Sequence, residues 1–134
     1  MLHLEEKGRG RAVKRAWSES TADVLSYMDV DLSTDLGAFP PLIEALLGGG
    51  YDMAVGSRQL KPAMTTRGLK REIISRGYMR LVKALFRVKF SDAHCGFKAI
   101  RRDAAKALLP LVEENGWLMD TELIILGEKM GCRI

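Results

Sequence analysis

The chain has 134 residues, of which 47% are hydrophobic and 28% charged, and its formal net charge is +4. That length fits one domain or part of one, and this mixture supplies a core and excludes a disordered polyelectrolyte. No apolar run reaches the length of a membrane span, and Met1-Leu2-His3-Leu4-Glu5-Glu6 lacks the basic-then-apolar pattern of a signal peptide.

In chain order, Ala12, Val13, Ala16 and Trp17 recur at helical spacing and predict a helix from Gly10 to Ser20. The apolar run Val24 to Met28 predicts a short buried strand. Pro40 and Pro41 suit a first helical turn, which Leu42 to Leu47 continues until Gly48-Gly49-Gly50 ends it. Met53-Ala54-Val55 reads as a second strand, and Gln59 to Thr66 as a loop. Leu69, Ile73, Leu81, Val82, Leu85 and Phe86 predict a long helix over 68–87, interrupted by Gly77 at about 1 kcal/mol relative to alanine. Ser91 to Cys95 reads as a loop and Gly96 to Ile100 as a strand. Arg102 to Leu109 follows as a helix stopped by Pro110, and Thr121 to Met130 as a helix ended by Gly131. Strands alternating with helices predict an α/β layered domain with a mostly parallel sheet flanked by helices. Cys95 and Cys132 match no zinc spacing and read as reduced thiols of a cytosolic protein.

The segment Asp29-Val30-Asp31 carries the sharpest chemical signal. In extended backbone, positions two apart point to one face. Asp29 and Asp31 would then offer two carboxylates at a strand end, where open α/β sheets bind ligands. Such a pair suits Mg²⁺ or Mn²⁺, with a substrate phosphate completing the shell. The plainer alternative is a polar turn in which Ser33 or Asp35 caps the next helix. Charge is also unevenly spread. Residues 58–89 hold ten Lys or Arg against the single acid Glu72, while the remainder is net acidic. That bias points to a polyanionic partner: a nucleotide diphosphate, a lipid phosphate, an anionic membrane surface or nucleic acid. A solvated helix face accounts for part of it.

Taken in order, "MDVDLSTD", "GGYDMAVGSR", "LKREIISRGYMRLVKALF", "SDAHCGFKAIRRDAAKALLP" and "NGWLMDTELIILGEKMGCRI" resemble the family 2 glycosyltransferases of the GT-A fold. The branch most similar is that of the polyprenyl-phosphate (dolichyl-phosphate) mannosyl- and glucosyltransferases. The resemblance runs from about Lys7 to Ile134. It implies a partial GT-A, Rossmann-like domain, with residues 1–134 as its middle-to-C-terminal portion and the N-terminal nucleotide-binding strands absent. With those strands missing, the apolar faces of strands 24–28 and 53–55 are expected to lack neighbours and to favour self-association through an exposed sheet face, and the chain alone is expected to bind nucleotide sugar weakly.

The resemblance also implies roles. The reaction is transfer of a hexose, with inversion, from a nucleotide-diphosphate sugar to a polyprenyl phosphate, at the cytoplasmic face of a membrane and without a nucleic-acid partner. Asp31 is implied as direct ligand of Mg²⁺ or Mn²⁺, and Asp29 as ligand or ribose contact. Ser33 stands where some relatives carry glutamine. Arg58, Arg71 and Ser75 match blocks that contact donor or acceptor phosphates, for which a guanidinium offers a planar fork. Lys7-Gly8-Arg9-Gly10 resembles the family's "KGKG" block, where a helix N-terminus can approach an anion. Asp120 stands at the acceptor side, as general base for a hydroxyl acceptor or as an orienting group for a phosphate that is already ionised. Capping of the last helix is its structural alternative. His94 replaces the commoner glutamine of "DTQCGFK". Two rival classes remain on the residues alone: a sugar-phosphate nucleotidyltransferase, whose glycine-rich N-terminal signature is lacking here, and a basic module binding nucleic acid or membrane.

Overall fold

A computed structural model describes residues 6–29, 34–57, 69–93 and 95–134, with the side chains of 69–72 left aside. Its elements are α1 (Arg9–Glu19), β1 (Val24–Met28), a 3-10 turn (Leu36–Ala38), α2 (Phe39–Leu47), β2 (Met53–Val55), α3 (Leu69–Phe86), β3 (Phe97–Arg101), α4 (Arg102–Leu108), a second 3-10 turn (Leu109–Leu111) and α5 (Met119–Lys129). Asp35 caps the first 3-10 turn by accepting from the Gly37 N–H at 2.9 Å, so one half of the polar-turn alternative holds. Pro40 and Pro41 sit in the first turn of α2, where a missing N–H leaves nothing unsatisfied.

The three described strands lie in the order β1-β3-β2. Val24 pairs with Arg101 and Met28 with Phe97, while Met53 pairs with Ile100, and both ladders are antiparallel. The α/β layering is as expected, but the strand directions are not those of a mostly parallel sheet. The β1–α2–β2 unit does return the chain to the same direction, yet the two strands are not neighbours. β3 enters between them from the opposite end after α3. Helix–strand alternation cannot reveal this, because a connection as long as that between β2 and β3 can deliver the next strand from either side.

β3 is the buried centre. Phe97, Lys98, Ala99 and Ile100 are each at most 2% exposed. Its alternation divides two cores. Phe97 and Ala99 face α2 through Leu42 and Leu46, with Cys95 beside them. Ile100 faces the opposite layer with Leu25, Met53, Trp17 of α1, Ala105 and Leu108 of α4, and Met119, Leu123 and Ile124 of α5. Each fully buried aliphatic side chain there stabilises the fold by roughly 1.5–3 kcal/mol. Both faces of the described sheet therefore have helical cover, and the bare sheet face expected from the sequence is not found among the described residues. The large exposed apolar side chains lie elsewhere, notably on α3. Cys95 is buried and Cys132 half-buried, both as thiols. No helix among the described residues is long and apolar enough to cross a membrane.

Candidate functional site

The pleat that divides the cores also builds the site. Lys98 lies on the Ile100 side of β3, and its cross-strand partner is Tyr27, so both side chains point toward the α1/α5 layer. Asp29 follows Tyr27 by two and prolongs the ladder, its N–H donating to the Gly96 carbonyl at 2.8 Å. From the helical layer come Arg9, at the start of α1, and Asp120, in the first turn of α5.

Asp120, 1% exposed, is the hub. One carboxylate oxygen accepts from Tyr27 Oη; the other pairs with Arg9 Nη2 and lies 3.5 Å from Lys98 Nζ. Arg9 Nη2 also donates to Tyr27 Oη at 2.9 Å, Lys98 Nζ to the same oxygen at 3.3 Å, and Lys98 Nζ to the Cys95 carbonyl. A buried charge persists only when its lone pairs and protons are satisfied, and this cluster meets that condition with two cations and a phenol around one carboxylate. Both oxygens of this carboxylate are thus engaged within the cluster. Its place in the first turn of α5 also complements that helix's dipole. The helix cap itself falls on Leu118, and Glu122 instead accepts from the backbone N–H groups of Glu113 and Glu114 at 3.2 and 2.9 Å.

Arg9 is placed against its helix's preference, since a cation at a helix N-terminus opposes the dipole. Asp120 offsets this, as does Asp29, whose Oδ1 lies 3.9 Å from Arg9 Nη1. The Trp117 ring, 72% exposed, covers the guanidinium with its centroid 4.9 Å from Cζ, a cation–π contact worth roughly 0.5–1 kcal/mol at such a site. Arg9 Nε is buried with no acceptor among the described residues.

Asp29 is 38% exposed at its side chain and rests over Gly96. A Cβ built on Gly96 would meet the Asp29 carboxylate atoms far inside contact distance, so only glycine leaves the space in which this carboxylate sits. Gly10 has a comparable role in packing. A Cβ there would lie 2.8 Å from Met119 Cβ and 2.9 Å from the Asn115 carbonyl, and the Arg11 N–H already donates to that carbonyl at 3.1 Å. The glycines of the Lys7–Gly10 block thus let α1 press against the loop before α5.

Burial pushes the Tyr27 phenol up from 10.0 to about 12, despite the lowering influence of Arg9. The unfolded chain loses this proton first, so Tyr27's contribution to stability is complete below pH 10 and is lost as pH rises toward about 12. Urea midpoints measured across that window should fall less steeply for Tyr27→Phe than for the parent; identical slopes would show that the phenol ionises freely in the native state.

Of the residues singled out from sequence, Asp29 and Asp120 come together around Arg9. Lys7 is exposed at the entry to α1. Ser75 is half-buried on α3, and Arg71 belongs to that helix with its side chain outside the described set. Asp31, Ser33, Arg58 and His94 lie outside the described residues. Among the described residues no three His, Cys, Asp or Glu side chains gather as a metal site. Arg9, Tyr27 and Lys98 are the members that sequence reasoning passed over. Arg9 sat inside the block chosen for Lys7, and Lys98 was a lone cation in an otherwise apolar strand.

Comparison with known proteins shows the family of the chain. The sequence profile described as "Glycosyl transferase family 2" matches residues 1–109. The chain is 40% identical over 133 residues to "Glycosyltransferase AglD" of Haloferax volcanii, covering 98% of this chain and 21% of that protein. It is 33% identical to a "Dolichol-phosphate mannosyltransferase" of Pyrococcus furiosus, over 92% of this chain and 35% of the relative. With a "Dolichyl-phosphate beta-glucosyltransferase" of Drosophila melanogaster the figures are 30%, 95% and 41%. The chain therefore spans less than half the length of these relatives. Among solved structures, glucosyl-3-phosphoglycerate synthase from Mycobacterium tuberculosis, in complex with UDP, superposes with a TM-score of 0.67 over 96% of this chain and 43% of that one, at 20% identity. At that identity the likeness bears on the fold, which is GT-A.

Proposed function

The chain belongs to glycosyl transferase family 2, and we propose that it forms part of an enzyme moving a hexose from a nucleotide-diphosphate sugar to a polyprenyl phosphate, with inversion. The observation that carries this reading is the pairing of Arg9 with Asp29. Arg9 Nη1 lies 3.9 Å from a carboxylate held at a strand end, and the Nε of the same guanidinium has no acceptor among the described residues. Such a site offers one donor to a phosphate oxygen and one oxygen donor to a divalent cation. The names of the dolichyl-phosphate relatives supply the acceptor class.

The residues fit a hard divalent ion. The Gly96 cradle fixes the Asp29 carboxylate, and its oxygens are the donors that Mg²⁺ or Mn²⁺ prefers. Asp29 and Asp31 would hold it, and when bound it supplies positive charge against the departing diphosphate. Arg58, Arg71, Ser75 and Lys7 are assigned to donor or acceptor phosphates. Asp120 keeps Arg9, Tyr27 and Lys98 in register, and a phosphate acceptor, already ionised, asks for no general base. On this reading the chain works at a membrane surface, and its cytoplasmic side is part of the same proposal.

Asp31→Asn in the full-length protein tests the reading. Release of nucleoside diphosphate in the presence of Mn²⁺ and a polyprenyl phosphate should fall more than about 100-fold, since metal charge stabilisation is worth several kcal/mol. Retained Mn²⁺-dependent turnover would remove Asp31 from the metal site.

A further inference from the structure

Asp29 lays its carboxylate in the space that a side chain on Gly96 would fill. Glycine is the residue whose backbone is least restricted, so the surface beneath the carboxylate has little rigidity of its own. The turn is held from outside at three points. The Gly96 carbonyl accepts from the Asp29 N–H at 2.8 Å. Cys95, 4% exposed, packs its thiol just past the end of β2, where a Cβ on Gly56 would lie 3.2 Å from Sγ. The Cys95 carbonyl, part of the peptide that joins Cys95 to Gly96, accepts from Lys98 Nζ. A bond donated by an ammonium is charge-assisted and roughly twice as strong as one between neutral groups.

Lys98 is an expensive residue for the centre of a sheet. Its side chain is 1% exposed, and a buried ammonium persists only when its protons find acceptors. Among the described residues these are the Cys95 carbonyl, Tyr27 Oη at 3.3 Å and Asp120 Oδ2 at 3.5 Å. Asp120 is engaged without it, because Tyr27 and Arg9 already meet both of its oxygens. An apolar side chain of similar length would fill the same volume without desolvating a charge. What such a side chain could not do is hold the Cys95 carbonyl. We propose that Lys98 is a positioning residue for Asp29: its ammonium fixes the Cys95–Gly96 peptide, and that peptide sets where the Asp29 carboxylate meets a divalent cation. The inference deepens the proposed function and rests on it for the identity of the ligand. It also gives the charge on β3 a purpose that packing alone does not.

Lys98→Met in the full-length protein tests it by two measurements. The first is amide hydrogen exchange, resolved to the residue by fragmentation mass spectrometry. The Asp29 N–H should exchange at least about 10-fold faster than in the parent, while that of Ile100, in the middle of β3, changes less than about 3-fold. The second is calorimetric titration with Mn²⁺, whose affinity should fall at least about 10-fold, as when a group that orients a metal ligand is lost. Asp120→Asn disturbs the same cluster but keeps the bond from Lys98 to Cys95. Its Asp29 amide, taken relative to Ile100, should stay within about 3-fold of the parent. Asp29 and Ile100 amides that accelerate together in Lys98→Met would show a role in folding only and overturn the proposal. So would an Asp29 amide opened equally by Asp120→Asn, or parent-like Mn²⁺ affinity in Lys98→Met. The two readings fail separately. A parent that binds no Mn²⁺ removes the proposed metal site, and the Asp29 amide still decides for or against Lys98 as the group that holds the turn. A parent that binds Mn²⁺ as tightly as Lys98→Met leaves the metal site standing and removes Lys98 from it.

Discussion

Asp120→Ala should destabilise the fold by about 3–5 kcal/mol, the scale of removing one partner from a buried ion pair. Lys98 and Asp120 are each 1% exposed at the side chain, so no water stands ready to replace the carboxylate. Its removal leaves an ammonium, a guanidinium and a phenol converging on an empty space. Asp120→Asn should cost less, because an amide oxygen still accepts one hydrogen bond. Combining Lys98→Met with Asp120→Leu should also be milder than Asp120→Ala, since apolar groups of similar volume remove the buried charge along with its partner. Urea unfolding with an unchanged m-value is the measurement. A loss below about 1 kcal/mol for Asp120→Ala would show that solvent reaches Lys98.

The second large effect is expected at Gly96, where a single methyl group should disable Asp29. The Cβ of Gly96→Ala would occupy the space of the Asp29 carboxylate. Either the carboxylate swings away from Arg9 or the β1–β3 ladder parts at the 2.8 Å bond from Asp29 N–H to the Gly96 carbonyl. Overpacking of this kind costs roughly 1–3 kcal/mol of stability. The functional loss should be larger than the structural one: Mn²⁺ affinity in the full-length protein should drop at least about 10-fold, as when a metal's supporting groups are displaced. Calorimetric titration with Mn²⁺ reads this directly. Parent-like affinity in Gly96→Ala would mean that Asp29 does not hold the ion.

Local signals in the chain carried much of this architecture. The strand bounds 24–28 and 53–55 follow from apolar runs between polar turns, and α3 from the recurrence of Leu69 to Phe86. Periodicity is a property of neighbouring residues, so it survives whatever the fold does at long range. The direction of β3 is not of that kind, because it depends on which end of the sheet the chain re-enters. Nor was the Asp120 cluster legible. A lone Lys98 in "GFKAI" reads as an edge cation extending to solvent, until β3 proves central. Its counterion stands on α5, beyond α4 and the second 3-10 turn. Arg9 was hidden for a related reason, since a cation at a helix start has no local justification and gains its partners, Tyr27, Asp29, Trp117 and Asp120, from distant parts of the chain.

The carboxylate that completes the cluster joins groups 111 and 93 residues away in the chain, Arg9 and Tyr27. Contacts of such separation form late, because closure entropy must be overcome before they contribute. During synthesis β1, β2 and β3 all emerge before α5, so the Lys98–Asp120 pair forms only after the sheet strands have been made. The larger core also waits for Met119, Leu123 and Ile124, which α5 contributes. A sheet synthesised without α5 therefore has one of its two faces only partly covered.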